Sequence, residues 1–114
     1  MVKDRAESEA LCCTPLGVEA FDEQQSELLA SKFKALADPV RVRLVSILAA
    51  LPDGEVCACD MPGMVSRKQS TVSHHLKILA EAGIITREQR GKWAWFRLRD
   101  GALDDLRDLL PLGH

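Results

Sequence analysis

From Phe21 to Leu36 apolar residues recur at spacings of three and four, so that Leu28, Leu29, Phe33, Leu36 and Ala37 fall on one stripe. That period predicts an amphipathic helix with its stripe turned to a core. Asp38-Pro39 then breaks the pattern. Asp is a good N-cap and Pro fits the first helical position, so a second helix is predicted to open here and to bury Val40, Leu44, Ile47, Leu48 and Leu51. Pro52-Asp53-Gly54 ends it.

Pro62 and Gly63 limit Met61 to Val65 to one or two helical turns. Ser66 or Ser70 is expected to cap a stronger helix that ends at Gly83 and buries Val72, Leu76, Ile78 and Leu79. Ile84 to Arg90 and Trp93 to Arg99 are short runs rich in β-branched or aromatic residues, with Gly91-Lys92 as the turn of a hairpin. Asp100 is expected to cap a last helix through Leu110, apolar at Leu103, Leu106, Leu109 and Leu110. The predicted class is mainly α with a small β-hairpin, a winged helix-turn-helix over residues 20–110. Residues 1–19 lack a sustained period and are expected to form a flexible arm carrying Cys12 and Cys13, and residues 111–114 a tail.

A chain of 114 residues with 46% hydrophobic and 28% charged side chains fits one globular domain. So short a chain buries a modest share of its surface, which favours a homodimer. Neither a secretory h-region nor a membrane-spanning apolar run occurs, so the expected location is the cytoplasm, with no membrane partner. The net charge of -2 conceals a segregation. Residues 66–99 carry eight Lys/Arg against Glu81 and Glu88, and the rest of the chain is acidic. Folded onto one face, that basic block binds phosphates.

The helical period gathers Gln69, Ser70, Ser73, His74 and Lys77 on the face opposite Val72, Leu76 and Leu79, with Thr71 beside them at the helix start. Short hydroxyls and an amide there reach base edges, and the helix N-terminus attracts a phosphate. Arg87, Arg90 and Lys92 make the following hairpin basic, as a wing lying along the DNA backbone requires. A polar helix face alone is ordinarily a solvated surface; the element order and the basic hairpin together favour double-stranded DNA as the partner.

Three stretches carry a family resemblance: Leu36-Ala37-Asp38-Pro39-Val40-Arg41, Glu55-Val56-Cys57-Ala58-Cys59-Asp60 and Gln69-Ser70-Thr71-Val72-Ser73-His74-His75-Leu76-Lys77. With Glu81-Ala82-Gly83-Ile84-Ile85 and Arg90-Gly91-Lys92-Trp93, they make residues 21–110 resemble the ArsR/SmtB family of winged-helix repressors, most closely its arsenic-responsive branch. The resemblance implies a homodimer joined through its first and last helices, an inverted-repeat operator, and loss of DNA affinity when an ion binds. It also implies As(III) as inducer, held by three thiolates, with Sb(III) equivalent. The last helix has Asp104, Asp105 and Asp108 but lacks the paired His and carboxylate of the family's zinc sensors, since His114 is merely terminal.

The candidate ligands are Cys12, Cys13, Cys57 and Cys59. In a reducing compartment they are poor disulfide candidates and read as ligand, redox or core chemistry. Thiolates select soft or borderline ions, and Cd(II), Pb(II) or zinc can use all four. In a regular helix residues i and i+2 point about 200° apart, so Cys57 and Cys59 converge only where the segment is extended or irregular. A buried core role for either one stays open, as does a thiol redox switch. An enzymatic reading is weak, because no C-x-x-C and no nucleophile-base arrangement is present.

Overall fold

The computed structural model describes residues 20–109. The predicted arm with Cys12 and Cys13, Leu110 and the tail lie outside the described residues. The first helix, α1, spans Glu23–Leu36. Its start is set by Asp22, whose carboxylate accepts the Gln25 amide at 2.8 Å while the Gln25 side chain accepts the Asp22 amide at 2.9 Å. This reciprocal pair is a capping box. The second helix, α2, Pro39–Ala50, begins where predicted, with the Asp38 carboxylate accepting the amides of Val40 at 2.9 Å and Arg41 at 3.2 Å.

A strand that the hydrophobic pattern did not predict, β1, follows at Glu55–Cys57. Helix α3, Met61–Val65, is as short as Pro62 and Gly63 require and closes on Ser66 at φ 55°, ψ 48°. Helix α4, Gln69–Glu81, has Lys68 at its cap position and no side-chain cap. The capping role expected of Ser66 or Ser70 is thereby corrected: Ser66 is held in the left-handed turn that ends α3, and Ser70 lies within the first turn of α4. Gly83 ends α4 as predicted, at φ 79°. The Ile84 amide donates to the Leu79 carbonyl and the Gly83 amide to the Ala80 carbonyl, both at 3.0 Å, the two bonds of a Schellman close.

Strands β2, Ile85–Arg90, and β3, Trp93–Leu98, form the predicted hairpin, and Gly91 supplies the positive φ of 63° that its two-residue turn needs. The hairpin is not alone. β1 pairs with the far side of β3, giving an antiparallel sheet of order β1-β3-β2 in which Cys57 faces Trp95 and Trp95 faces Glu88. The last helix, α5, spans Asp104–Leu109. It starts later than a cap at Asp100 implies, because Gly101 at φ 73° turns the chain out of a helical path.

The core is where α2, α3 and α4 meet the sheet: Leu44 and Leu48, Met61 and Val65, and Val72, Leu76 and Leu79 pack with Val56, Ile84, Ile85 and Phe96. The α1 stripe corrects the expectation of a single inward face. Leu29 and Ala35 are buried, whereas Leu28 is 60% and Phe33 45% exposed. Lys32 joins α1 to the start of α5, donating to the Ala102 carbonyl at 2.8 Å and to Asp105 at 3.1 Å.

Candidate DNA-binding surface and cysteine site

Helix α4 is fixed from behind and presented in front. Val72, Leu76 and Leu79 anchor it in the core, leaving Gln69, Ser70, Ser73, His74 and Lys77 exposed and Thr71 half-buried. With no side chain capping its first turn, its N-terminal amides are left for an outside acceptor such as a phosphate. The preceding turn is rigid: Arg67 donates to the carbonyls of Val65 at 3.2 Å and Ser66 at 3.1 Å. Helix α3, this turn and α4 make the helix-turn-helix.

The two adjacent histidines part company. His74 faces outward, while His75 turns to the start of α2, where Arg41 donates to its Nδ1 at 3.0 Å and the Asp38 carboxylate lies 3.9 Å from Nε2. Arg41 also donates to the Ala35 carbonyl at 2.6 Å, so this network braces the recognition helix against the α1-α2 corner. The Arg41 amide hydrogen bond holds the Asp38 carboxyl below its ordinary range, helped by the Val40 amide and the nearby His75 and Arg41 charges and opposed by partial burial. The sequence reading missed this brace, although Asp38 was legible as a cap.

Between α4 and the hairpin runs a cleft of about 590 Å³. Gln69, Ser73 and Lys77 line one wall, Arg87, Gln89 and Lys92 the other, and Cys59 stands at its edge. Arg87 is oriented by donating to Gln89 at 2.6 Å, and Gln89 donates to the Gly91 carbonyl at 3.0 Å. Lys77, Arg87 and Lys92 thus place three cations on the walls of one groove. Arg90, expected with them, is not among its lining residues. Its guanidinium is engaged by Glu55 and Glu88, each at 2.7 Å, hydrogen bonds that raise its pKa further above the ordinary arginine value. The same bond from Arg90 is the main cause that holds Glu55 below the usual carboxylate range.

Cys57 closes β1 and is buried, whereas Cys59 lies on the exposed turn that follows. Their Cα atoms are 5.2 Å apart and their sulfurs are joined as a disulfide. The two converge on a segment that is not a regular helix, as their i, i+2 spacing required. A strand end followed by a turn brings together an i, i+2 pair that a helix would separate. The Ala58 amide donates to the Ala94 carbonyl at 2.8 Å, the Cys59 amide to Cys57 Sγ at 3.3 Å and the Asp60 amide to the Cys57 carbonyl at 3.0 Å, fixing the turn. Among the described residues no group of three or more His, Cys, Asp or Glu side chains is placed to hold a metal ion. Cys57 and Cys59 supply two sulfurs, so a three-thiolate site needs one from outside the described residues. Cys12 and Cys13 lie there.

A braced recognition helix, a basic hairpin beside it and a cleft between them define a winged helix-turn-helix DNA-binding protein. Comparison with known proteins agrees. Residues 38–87 match the model of the bacterial regulatory protein, arsR family. The chain is 41% identical over 89 residues to the arsenical resistance operon repressor of Bacillus subtilis (strain 168), covering 75% of this chain and 83% of that one. It is 36% identical over 72 residues to the cadmium resistance transcriptional regulatory protein CadC homolog of Staphylococcus aureus, covering 63% of this chain and 58% of that one. The solved structure of the AntR antimony-specific transcriptional repressor superposes with a TM-score of 0.66 at 26% identity, covering 82% of this chain and 83% of that one. The chain belongs to the ArsR family of transcriptional repressors, which are DNA-binding regulators and not enzymes. No described helix is long and apolar enough to cross a membrane.

Proposed function

We propose that a homodimer of this chain holds an inverted-repeat operator and leaves it when arsenite or antimonite is captured by three cysteine thiolates. The observation that carries this reading is the meeting of the Cys57 and Cys59 sulfurs at the edge of the cleft between α4 and the wing. As free thiols they offer two soft ligands side by side, and Cys12 or Cys13 completes the set. Each thiol loses its proton as an As–S bond replaces an As–OH bond, releasing water. Similarity to the arsenical and antimony repressors favours the trivalent metalloids; similarity to the CadC homolog supports Cd(II) or Pb(II) as the second choice.

Exposed Leu28 and Phe33 supply apolar surface for the second copy. A two-fold dimer then sets its α4 helices in successive major grooves, about 34 Å apart, with Gln69, Ser70, Thr71, Ser73, His74 and Lys77 toward the DNA. Ion capture draws the arm onto the Cys57 turn. Because β1 is hydrogen-bonded to β3, displacement of that turn reaches the wing.

Titration of the reduced protein on a labelled operator with arsenite, antimonite, cadmium and lead tests the reading. Cys57→Ser should bind operator normally and resist release, as should the Cys12→Ser/Cys13→Ser double variant. Normal release of that double variant by every ion refutes the site. The paired sulfurs favour one further reading, a redox switch in which a peroxide takes two electrons and two protons from Cys57 and Cys59. Release by peroxide without any ion, with a mass loss of two hydrogens, would select it.

A further inference from the structure

Arg87, Arg90 and Lys92 belong to one basic hairpin, but strand alternation divides them. Arg87 and Gln89 point toward α4, as their place in the cleft wall requires, whereas Glu88 and Arg90 lie on the opposite face with Glu55, Trp95 and Arg97. From that face Arg90 crosses the middle strand. Its Cζ stacks 4.8 Å from the Trp95 ring centroid. Beyond it, Nη2 and Nη1 reach Glu55 at 2.7 and 3.4 Å, while Glu88 accepts from Nε at 3.1 Å and Nη2 at 2.7 Å. The span bridges outer strands about 9.5 Å apart, two strand spacings.

Two carboxylates occupy the guanidinium of Arg90, and with Arg97 beside Glu55 the charges on this face balance, so it offers a phosphate no free positive charge. A planar fork that is stacked and shared in this way is also a geometry that lysine does not reproduce. The wing needs such an anchor. In β2 only Ile85 is buried and Thr86 to Arg90 are exposed, so core packing does not hold the outer half of that strand. β1 and the Ala58 amide hold β3, but β2 pairs with β3 alone, and a two-stranded pairing by itself is marginally stable in water.

We infer that Arg90 and Glu55 form a clamp across the sheet that positions the wing against β1 and α4, serving DNA binding as positioning residues rather than as DNA contacts. This rests on the reading that the wing meets the DNA backbone. Operator affinity measured over a series of NaCl concentrations, without any inducer, separates the roles. Lys92→Gln tests the wing contact itself and should lower the salt slope by about one. Arg90→Gln, Arg90→Lys and Glu55→Gln should each weaken binding about threefold to fivefold, the scale of a surface ion pair, with an unchanged slope. The Arg90→Gln/Glu55→Gln double variant should be no weaker than the weaker single. A free phosphate-binding Arg90 predicts the reverse: Glu55→Gln tightens binding, Arg90→Lys behaves as wild type and Arg90→Gln lowers the slope by about one. Any of those results overturns the clamp, as does wild-type affinity in all three single variants. An unchanged slope in Lys92→Gln instead refutes the wing contact, and the clamp's purpose with it.

Discussion

The separation of α4 into an anchoring face and a reading face is open to a paired test with Leu76→Ala and Ser73→Ala. Leu76 is 1% exposed and packs in the shared core, whereas Ser73, one turn away, is exposed on the cleft wall. Removing three buried carbons from Leu76 forfeits roughly 2.5 kcal/mol at about 0.8 kcal/mol each. The cavity left behind brings the cost to about 3–4 kcal/mol. At about 4 °C or more per kcal/mol for a chain of this size, the melting temperature should fall by about 12 °C or more. Ser73→Ala removes only an exposed hydroxyl and should stay within about 0.5 kcal/mol of wild type. Its effect belongs to DNA affinity, about 0.5–1.5 kcal/mol where the hydroxyl makes one hydrogen bond to a base edge.

Thermal melts at one protein concentration, since the proposed dimer would make the midpoint concentration-dependent, and operator titration below both midpoints would give the two numbers. A Ser73→Ala variant that loses stability and keeps its affinity would refute the assignment of faces. So would a Leu76→Ala variant that melts as wild type.

Gly91→Ala should cost about 1 kcal/mol in a thermal melt, because the turn requires φ 63° while nothing lies within 4 Å of the added Cβ, so backbone strain is the whole effect. A carboxyl whose folded pKa is depressed contributes stability above its unfolded value and loses it as pH falls through the folded one. Asp38→Asn should therefore melt lower than wild type at neutral pH, and the difference should close below about pH 4. A gap that persists at low pH would contradict a role for the ionised carboxylate. Leu28→Glu with Phe33→Glu should shift the protein from dimer to monomer in sedimentation and abolish tight operator binding; an unshifted dimer would place the interface elsewhere.

Long periodic helices were legible because their signals are local: Asp38-Pro39 fixes the start of α2 and Gly83 the end of α4, each through bonds to its own neighbourhood. What sequence missed depends on distant partners. β1 has three residues, too few for a period, and exists because β3 offers an edge at Phe96 and its neighbours. Arg90 counted as one more cation of the basic block until Glu55, far along the chain, was brought to it across the sheet. Alternation along β2 carried part of that information, since it separates Arg87 from Arg90 once the hairpin is drawn. The α1 stripe was legible as apolar but not as shared between its own core and an outer face. Hydrophobic period does not say which chain does the burying.

That missed strand is also what makes the proposed switch physically reasonable. An inducer lowers operator affinity only by the difference between its own affinities for the free and DNA-bound forms. A hundredfold release asks for about 2.7 kcal/mol of coupling. Cys57 and Cys59 are placed to deliver it over a short path, because Cys57 is paired to Trp95 on the middle strand of the wing sheet and Cys59 borders the cleft. In the proposed switch, pulling that turn toward a third thiolate would strain the β1-β3 ladder and crowd the groove at once. On the proposed reading, loss of phosphate contacts by Arg87 or Lys92, with some misplacement of α4, would supply that coupling. A cysteine pair on the exposed face of α2 would have no such lever. The strand end and turn that let the two sulfurs meet also tie them to the wing.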